Sequence, residues 1–326
     1  MTVCVFTKGN LYLPENGKQI QEEETMKFEF SKMHDCKNDY VYVDCTQQEM
    51  SDPEAVAKYV SRYHYGIGSD GLILICPSDV ADFKMRMFNA DGSEGKMCGN
   101  GIRCVAKYVY DHHLTDKNPV SIETLAGIKR IDLTVADGKV TEAKVDMGEP
   151  ETRPRMIPMI TDHYIFVDQS LVLRETTIVG TDNKTYKEKF FFNGTAVSMG
   201  NPHFVVFVPD VDALDLEDLG PQFEHHKLFP EGVNTEFVQI IDDNTVKFRV
   251  WERGSGETLA CGTGACAVTY ACMKLKKAGA MDKPLNVLAR GGLLKVTYDS
   301  KSNHIFLQGP AVEVFTGEIG IPDCEL

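Results

Sequence analysis

The second half of the sequence repeats the first half. Residues 84–101 align without gaps with residues 247–264, an offset of 163 positions in a chain of 326 residues. Matched Lys, Arg, aromatic, Glu, Cys and Gly residues keep this register throughout. The same offset places residues 38–43 on residues 201–206, where a loop ends and an apolar run begins. This self-similarity indicates duplication and fusion of one lobe.

Both halves predict the same order of strands. Runs of β-branched and aromatic residues between turn residues predict strands at 27–33, 40–45, 72–76 and 83–88, and again at 191–197, 204–208, 236–241 and 246–251. We therefore predict an α/β (α+β) fold with two pseudo-symmetric lobes. Each lobe is expected to be a mixed, mostly antiparallel sheet or barrel around a central helix, with the active site in the cleft between the lobes.

Helices are predicted at matching places. One is expected from Pro53, capped by Asp52 or Ser51, to about Tyr63. A second is expected after Cys98, because Ile102, Val105, Ala106 and Val109 recur at helical spacing, and its counterpart follows Cys261. Hairpin turns are predicted at Asp137-Gly138 and Gly291-Gly292.

The domain organisation follows from the repeat and from turn residues. We place the first lobe at 27–148 and the second at 149–310, because Gly, Pro and charged residues cluster at 148–154. The strand-like run at 311–319 could return residues 311–326 to the first lobe. Residues 1–26 have no counterpart in the repeat, and they are either an extra hairpin or a frayed tail.

Charge and composition exclude several classes of function. The net charge of −14 has the wrong sign for binding nucleic acid or an anionic membrane. No apolar run approaches the length that spans a bilayer, so we predict a cytoplasmic protein. The ten Cys are scattered through a large chain without a C-x-x-C pair, which favours reduced thiols that are mostly buried and inert.

Two of these thiols differ from the rest. Cys98 and Cys261 each follow a loop and begin a predicted helix, and glycines follow them. The free N–H groups and the positive dipole end of a helix N-terminus stabilise an anion, so the pKa of each thiol is expected to be lowered. A single copy is better explained as a packed core thiol, but two copies in register favour catalysis.

Facing thiols suit one reaction well. Inversion of an amino-acid α-carbon needs a base on one face and an acid on the other, and a thiolate and a thiol supply both. The two helix ends could stabilise the aci-carboxylate that develops, so no pyridoxal-type cofactor is required. A P-loop, a dinucleotide-binding fingerprint and paired zinc-ligand spacings are all missing from the sequence, so we predict neither a nucleotide site nor a metal site.

Five motifs together resemble the diaminopimelate epimerase family. They are FNADGSE at 88–94, MCGNGIR at 97–103, GNPH at 200–203, WERG at 251–254 and ACGTGA at 260–265, in the order typical of the family, and the resemblance runs from about Met26 to the end. It implies a cofactor-independent isomerase that interconverts LL- and meso-diaminopimelate for lysine and peptidoglycan synthesis.

The resemblance also implies roles for individual residues. Cys98 and Cys261 would be the acid–base pair. Substrate contacts are expected from Asn38, from Gly99, Asn100, Gly262 and Thr263 at the reacting carboxylate, and from Asn89, Asn201, Asn234 and Arg253 at the distal head group. Glu252 would contact the ammonium or tune Cys261. His203 is either a partner of a catalytic thiol or a capped structural residue.

Alternatives remain open at this stage. Lys37 stands where the repeat carries Gly200, and Gly71 stands where many relatives have Gln, so either could shift substrate choice. The runner-up function is racemisation of another α-amino acid on the same scaffold. A redox-sensing or binding protein that uses the thiol pair without turnover is a weaker alternative. A homodimer through exposed strand edges is plausible.

Overall fold

The computed structural model describes residues 25–179, 185–322 and 325. Residues 1–24 lie outside the described part, so the expectation for the N-terminal extension is tested only at its last two residues. Those two residues already belong to the first strand.

The described residues of the first half, from Thr25 onwards, form eight strands and two helices. The strands are β1 (Thr25–Asp35), β2 (Asn38–Asp44), β3 (Gly71–Cys76), β4 (Phe83–Asn89), β5 (Glu94–Gly95), β6 (Val120–Thr124), β7 (Gly127–Ala136) and β8 (Lys139–Asp146). The helices are α1 (Pro53–Val60) and α2 (Gly99–Asp111). Every strand predicted for this half is present, and the turn at Asp137-Gly138 joins β7 to β8.

The second half continues after a 3-10 turn at Pro154–Met156. Its strands are β9 (Gln169–Val179), β10 (Thr185–Ser198), β11 (Pro202–Phe207), β12 (Asn234–Asp242), β13 (Thr245–Glu252), β14 (Gly256–Thr258), β15 (Pro284–Ala289), β16 (Gly292–Tyr298), β17 (Ile305–Pro310) and β18 (Val312–Pro322). Its helices are α3 (Leu216–Glu224) and α4 (Gly262–Leu275). The helices α3 and α4 begin 163 residues after α1 and α2, so the repeat extends well beyond the aligned motifs.

The strands form one hydrogen-bonded network. The pairing order is β18-β1-β2-β3-β4-β6-β7-β8 in one lobe, and β17-β16-β15-β13-β12-β11-β10-β9 in the other. Only four of these pairs are parallel: β2 with β3, β4 with β6, β11 with β12 and β13 with β15. The prediction of two similar lobes with mostly antiparallel sheets is confirmed.

The two sheets join where β8 pairs antiparallel with β17. The last strand, β18, pairs antiparallel with β1 along ten residue pairs. The division of the chain at residues 148–154 stays a prediction, because strand pairing crosses between the halves at both places.

Helix α1 ends three residues before its predicted end. Asp52 caps its N-terminus and accepts from the N–H of Ala55 at 3.0 Å. The carbonyl of Val60 accepts from the N–H groups of Ile67 and Gly68 at 2.9 and 2.8 Å. Because the returning chain satisfies this carbonyl, another helical turn does not form.

Helices α2 and α4 run through the centre of the core. The four residues that predicted α2 are fully buried, and α4 buries nearly every side chain from Ala265 to Cys272. One hydrophobic cluster includes residues of both helices and of both sheets. This shared core fixes the N-termini of the two helices next to each other. None of the helices in the described ranges is long and apolar enough to cross a membrane.

Candidate active site

The two catalytic candidates occupy equivalent places. Cys98 is the N-cap residue of α2 and Cys261 is the N-cap residue of α4, with φ angles of −125° and −124°. The helix starts are in close contact, because a Cβ added to Gly262 would lie 3.8 Å from the Cα of Gly99 and 3.2 Å from Oδ1 of Asn100. Glycine at position 262 is what allows this approach.

A cavity of about 420 Å³ lies at this meeting point, and both thiols line it. Ten of the predicted site residues line the same cavity: Asn38, Cys98, Gly99, Asn100, Asn201, Glu252, Arg253, Cys261, Gly262 and Thr263. The first lobe contributes four of them and the second lobe six. The structure therefore brings both halves of the repeat to one site.

The thiol of Cys98 is surrounded by polar groups of its own lobe. Its sulfur accepts from the N–H of Gly101 at 3.3 Å and lies 3.5 Å from Oδ1 of Asn38. The same oxygen accepts from the amide nitrogen of Asn100 at 3.3 Å. Burial raises the pKa of Cys98, although the N–H groups of Gly101 and Asn100 act in the opposite direction.

The thiol of Cys261 is more enclosed, with 6% of its surface exposed. Its sulfur lies 3.4 Å from the hydroxyl of Thr263. Burial raises the pKa of Cys261 well above its usual value, and the charges of Glu252 and Glu236 add to this shift. The expectation that the helix N-termini give both thiols a net lowered pKa is wrong, because burial outweighs the N–H groups at each site.

A buried pair of side chains, His203 and Glu236, lies near Cys261. Nδ1 of His203 lies 2.6 Å from Oε1 of Glu236, and Nε2 lies 3.0 Å from Oδ1 of Asn201. Both side chains of the pair are fully buried, and the second carboxylate oxygen of Glu236 has no hydrogen-bond partner among the described residues. A Cβ on Gly264 would lie 2.7 Å from Glu236, so this carboxylate adjoins the start of α4.

The first lobe has a different buried network. The guanidinium of Arg103 pairs with the carboxylate of Asp35, and both side chains are fully buried. Arg103 also donates to Oδ1 of Asn100 at 2.8 Å. This bond leaves the amide nitrogen of Asn100 free to point towards Asn38 and the cavity.

Two predicted ligands do not line the cavity that contains the thiols. Asn89 lines an adjoining cavity of about 870 Å³, to which Asn38, Glu252 and Arg253 also contribute. Asn234 is buried and faces neither space. Its oxygen accepts from the N–H of Arg253 at 2.8 Å, and its nitrogen donates to a backbone carbonyl at 3.1 Å. Asn234 therefore holds the Arg253 loop in place.

The structure shows the surroundings of Lys37 and Gly71, the two positions at which the sequence could shift substrate choice. Lys37 has φ of +66° and its repeat counterpart Gly200 has φ of +100°, so both adopt a left-handed conformation. Lys37 lines the adjoining cavity. At Gly71, an added Cβ would lie 2.1 Å from the carbonyl oxygen of Phe88 and 2.9 Å from the ring of Tyr40. The backbone here leaves no space for a larger side chain.

Sequence reasoning missed four residues of this site. Glu236, Asp35 and Arg103 form the buried networks, and Tyr40 lines the cavity beside Cys98. The repeat could have identified Tyr40, because it aligns with His203. It could also have identified Glu236, because this carboxylate interrupts an apolar strand where the first lobe has Ile73.

Two ion pairs occupy equivalent places in the two halves of the repeat. Arg86 pairs with Glu94, and Arg249 pairs with Glu257 through two nitrogens at 2.8 and 2.9 Å. These pairs join β4 to β5 and β13 to β14 just before α2 and α4. They explain why Arg and Glu recur in both halves without reaching the cavity that contains the thiols.

Comparison with known proteins points to one family. The family model described as diaminopimelate epimerase matches residues 30–153 and 195–314. Diaminopimelate epimerases of Agathobacter rectalis, Acetivibrio thermocellus and Methanococcus maripaludis are 54%, 52% and 51% identical to the chain. Each alignment covers 90% of this chain and 98–99% of the relative.

Solved structures share the fold at low identity. A Bacillus anthracis phenazine biosynthesis protein of the PhzF family has a TM-score of 0.62 and 18% identity, over 90% of this chain and 99% of that one. An Agrobacterium vitis hydroxyproline epimerase has a TM-score of 0.62 and 13% identity, over 90% and 91%. The family model matches well over half of the chain, the close relatives cover 90% of it, and on this ground the chain belongs to the diaminopimelate epimerase family.

Proposed function

We propose that this chain epimerises LL-diaminopimelate to the meso isomer, with Cys98 and Cys261 as the two acid–base groups. In the forward direction one thiolate removes the α-proton, and the opposite thiol delivers a proton to the other face. The roles exchange in the reverse direction. The observation that carries this proposal is the placement of both thiols, at equivalent helix N-termini, in the wall of one cavity.

The helix N-termini supply the electrostatic part of the mechanism. Removal of the α-proton moves negative charge onto the neighbouring carboxylate. The N–H groups at Gly99, Asn100, Gly262 and Thr263 begin α2 and α4, so they can donate to that charge from both lobes. Because these donors are fixed by the shared core, little reorganisation is needed when the charge develops.

The raised pKa values of the thiols also suit the reaction. The α-proton of an amino acid is only weakly acidic, so a thiolate with a high pKa is a stronger base than an ordinary one. The cost is a low population of thiolate at neutral pH. We infer that the two thiols titrate as a coupled pair, with one proton removed in the active form.

The His203–Glu236 pair is placed to orient a substrate ligand. Oδ1 of Asn201 can only accept, so Nε2 of His203 carries a proton and donates to it. A second proton lies between Nδ1 of His203 and Oε1 of Glu236, and burial raises the pKa of this carboxyl group. Asn201 lines the cavity, so its amide nitrogen could donate to a substrate carboxylate there.

The adjoining cavity favours diaminopimelate as the substrate over an amino acid that has only one amino-acid head group. Arg253 lines both cavities, and Asn89 lines the outer one. Arg can bind a carboxylate through two nitrogens, so this side supports recognition of a second amino-acid head group. Racemisation of another α-amino acid is the alternative, and in that case the adjoining cavity would have no part in substrate binding.

The test is a substrate panel. Reduced protein is incubated in D₂O with LL-diaminopimelate, L-lysine, L-glutamate and L-proline, and α-proton exchange is followed by proton NMR. The proposal expects exchange of diaminopimelate at least about 100-fold faster than the others. Faster exchange of L-lysine, which has no second head group, would overturn the substrate assignment and leave the two-thiol site in place.

We also propose a cytoplasmic homodimer. The strand β18 exposes Val312, Val314 and Phe315, with 39–55% of each side chain accessible. A row of exposed apolar residues on a terminal strand suits pairing with a second copy. Light scattering coupled to gel filtration tests this proposal, which predicts a mass of about twice the 36.4 kDa of one chain.

A further inference from the structure

A second pair of thiols lies at the carboxyl ends of β2 and β3, away from the cavity. These strands are parallel, and Asp44 pairs with Ile75. The N–H of Cys45 donates to the carbonyl of Ile75 at 2.8 Å, which continues the ladder and sets Cys45 opposite Cys76. Neighbouring strands lie about 4.8 Å apart, within the roughly 4.4–6.8 Å between Cα atoms that a disulfide spans.

The two side chains meet on the same face of the sheet. The strand register sets the two thiols side by side, and each shifts the pKa of the other. Both are half-buried at the margin of the hydrophobic cluster beneath α1, whereas Cys36, Cys104 and Cys266 are enclosed in the core. This pair therefore differs in burial from the enclosed thiols.

The electrostatic surroundings of the two thiols differ. Strand β4 places Lys84 opposite Cys76 and Arg86 two residues further along the same face. The hydrogen bond from Cys45 lowers the pKa of Cys76, and the charges of Arg86 and Lys84 lower it further. The same hydrogen bond, together with burial, raises the pKa of Cys45. Because these two cations of β4 lie on the side of Cys76, we infer that Cys76 is the better nucleophile of the pair.

We propose that Cys45 and Cys76 form a redox-modification site, which a small-molecule disulfide converts into an intramolecular disulfide. The thiolate of Cys76 attacks one sulfur of the disulfide RSSR, whose S–S bond breaks as RS⁻ leaves. Cys45 then loses its proton to water, and its sulfur attacks the sulfur of Cys76 and displaces the second RS⁻. The protein loses two electrons and two protons, and RSSR is reduced to two RSH.

This site is independent of the epimerase proposal. The cavity lies at the opposite ends of these strands, where Asn38 begins β2 and Gly71 begins β3. Six residues of strand separate the two ends, which is about 20 Å. A disulfide at Cys45–Cys76 would tie the strands together without entering the cavity.

The test uses oxidised glutathione and peptide mapping. Cys98 and Cys261 are replaced by Ala in the full chain, so that reactions of the catalytic thiols do not interfere. After incubation, free thiols are alkylated and the protein is digested with trypsin without reduction. Cleavage isolates Cys45 in the peptide 38–58 and Cys76 in the peptide 63–84, each with a single cysteine. The proposal expects these two peptides as a linked species, two hydrogens lighter than their sum.

Single variants test the order of the steps. Cys45→Ser is expected to leave glutathione trapped on Cys76, whereas Cys76→Ser is expected to acquire glutathione on Cys45 at least about tenfold more slowly. Cys45→Ser made in the otherwise unchanged chain should keep normal epimerase activity, which verifies its fold. Alkylation of both peptides without any link, or preferential glutathione addition to Cys45, would overturn the proposal.

Discussion

At the residue scale, burial controls the chemistry of the site more than the helix N-termini do. The sequence placed both thiols correctly at helix starts, but it gave the wrong direction for their pKa values. That error has a physical cause, because the N–H groups are visible in the sequence pattern whereas the extent of burial depends on packing between the lobes. Glu236 was missed for the same reason, since a carboxylate in an apolar strand has no recognisable partner until His203 is placed against it.

One prediction concerns the charge beside Cys261. The carboxylate of Glu252 helps to raise the pKa of this thiol, so Glu252→Gln is expected to lower it. A lower pKa means more thiolate at a given pH, so iodoacetamide should alkylate Cys261 about threefold or more faster near pH 8. Peptide mass spectrometry across a pH series measures this rate in the free protein.

The control for this experiment is Cys98, which belongs to the other lobe. Its alkylation profile should change much less in the Glu252→Gln variant, because the main causes of the pKa shift of Cys98 are its burial and the N–H groups of Gly101 and Asn100. An alkylation profile of Cys261 that stays in place, or moves to higher pH, would contradict the electrostatic account of this thiol.

At the element scale, the repeat predicted the order of strands and helices because the same local sequence forms the same element in each lobe. The repeat could not predict the direct contact between α2 and α4. That contact joins residues 163 positions apart, and local sequence patterns carry no information on which distant residues pack together. The equivalent glycines at positions 99 and 262 look alike in sequence but face different surroundings.

A matched pair of substitutions tests this contact. Gly262→Ala would place its Cβ 3.0 Å from Leu307 and 3.2 Å from Asn100, whereas Gly99→Ala would make only ordinary contacts at 3.4 Å. Both changes gain similar helix propensity. We expect the free energy of unfolding of Gly262→Ala to be about 1–3 kcal/mol lower than that of Gly99→Ala, as measured with urea. Equal stabilities of the two variants would show that the helix starts are not in close contact.

At the scale of the whole molecule, the two lobes share both a sheet and a core. Sequence patterns identified two lobes and suggested that residues 311–326 return to the first lobe. They did not predict the pairing of β8 with β17, because these edge strands are far apart in the chain. The cavity depends on this connection, since four of the predicted site residues that line it come from one lobe and six come from the other. A change that separates the lobes should therefore remove the site as well as stability.

The shared core predicts that both lobes unfold together. The single tryptophan, Trp251, lies in the second lobe and reports on it by fluorescence, whereas far-ultraviolet circular dichroism reports on both lobes. The two signals should give the same urea midpoint and the same dependence on urea concentration. Two separated transitions would mean that the lobes are independent and that their contact is weak.

The central claim is that Cys98 and Cys261 act from opposite faces of the same α-carbon. Initial rates in D₂O, followed by proton NMR from LL-diaminopimelate, test it most directly in the wild type and in Cys98→Ala and Cys261→Ala. The account predicts meso product deuterated at one α-carbon, with little deuterium in recovered substrate at early times, and a loss of at least about 10²–10⁴-fold in each variant. Either variant with a rate within tenfold of the wild type would contradict the two-thiol mechanism.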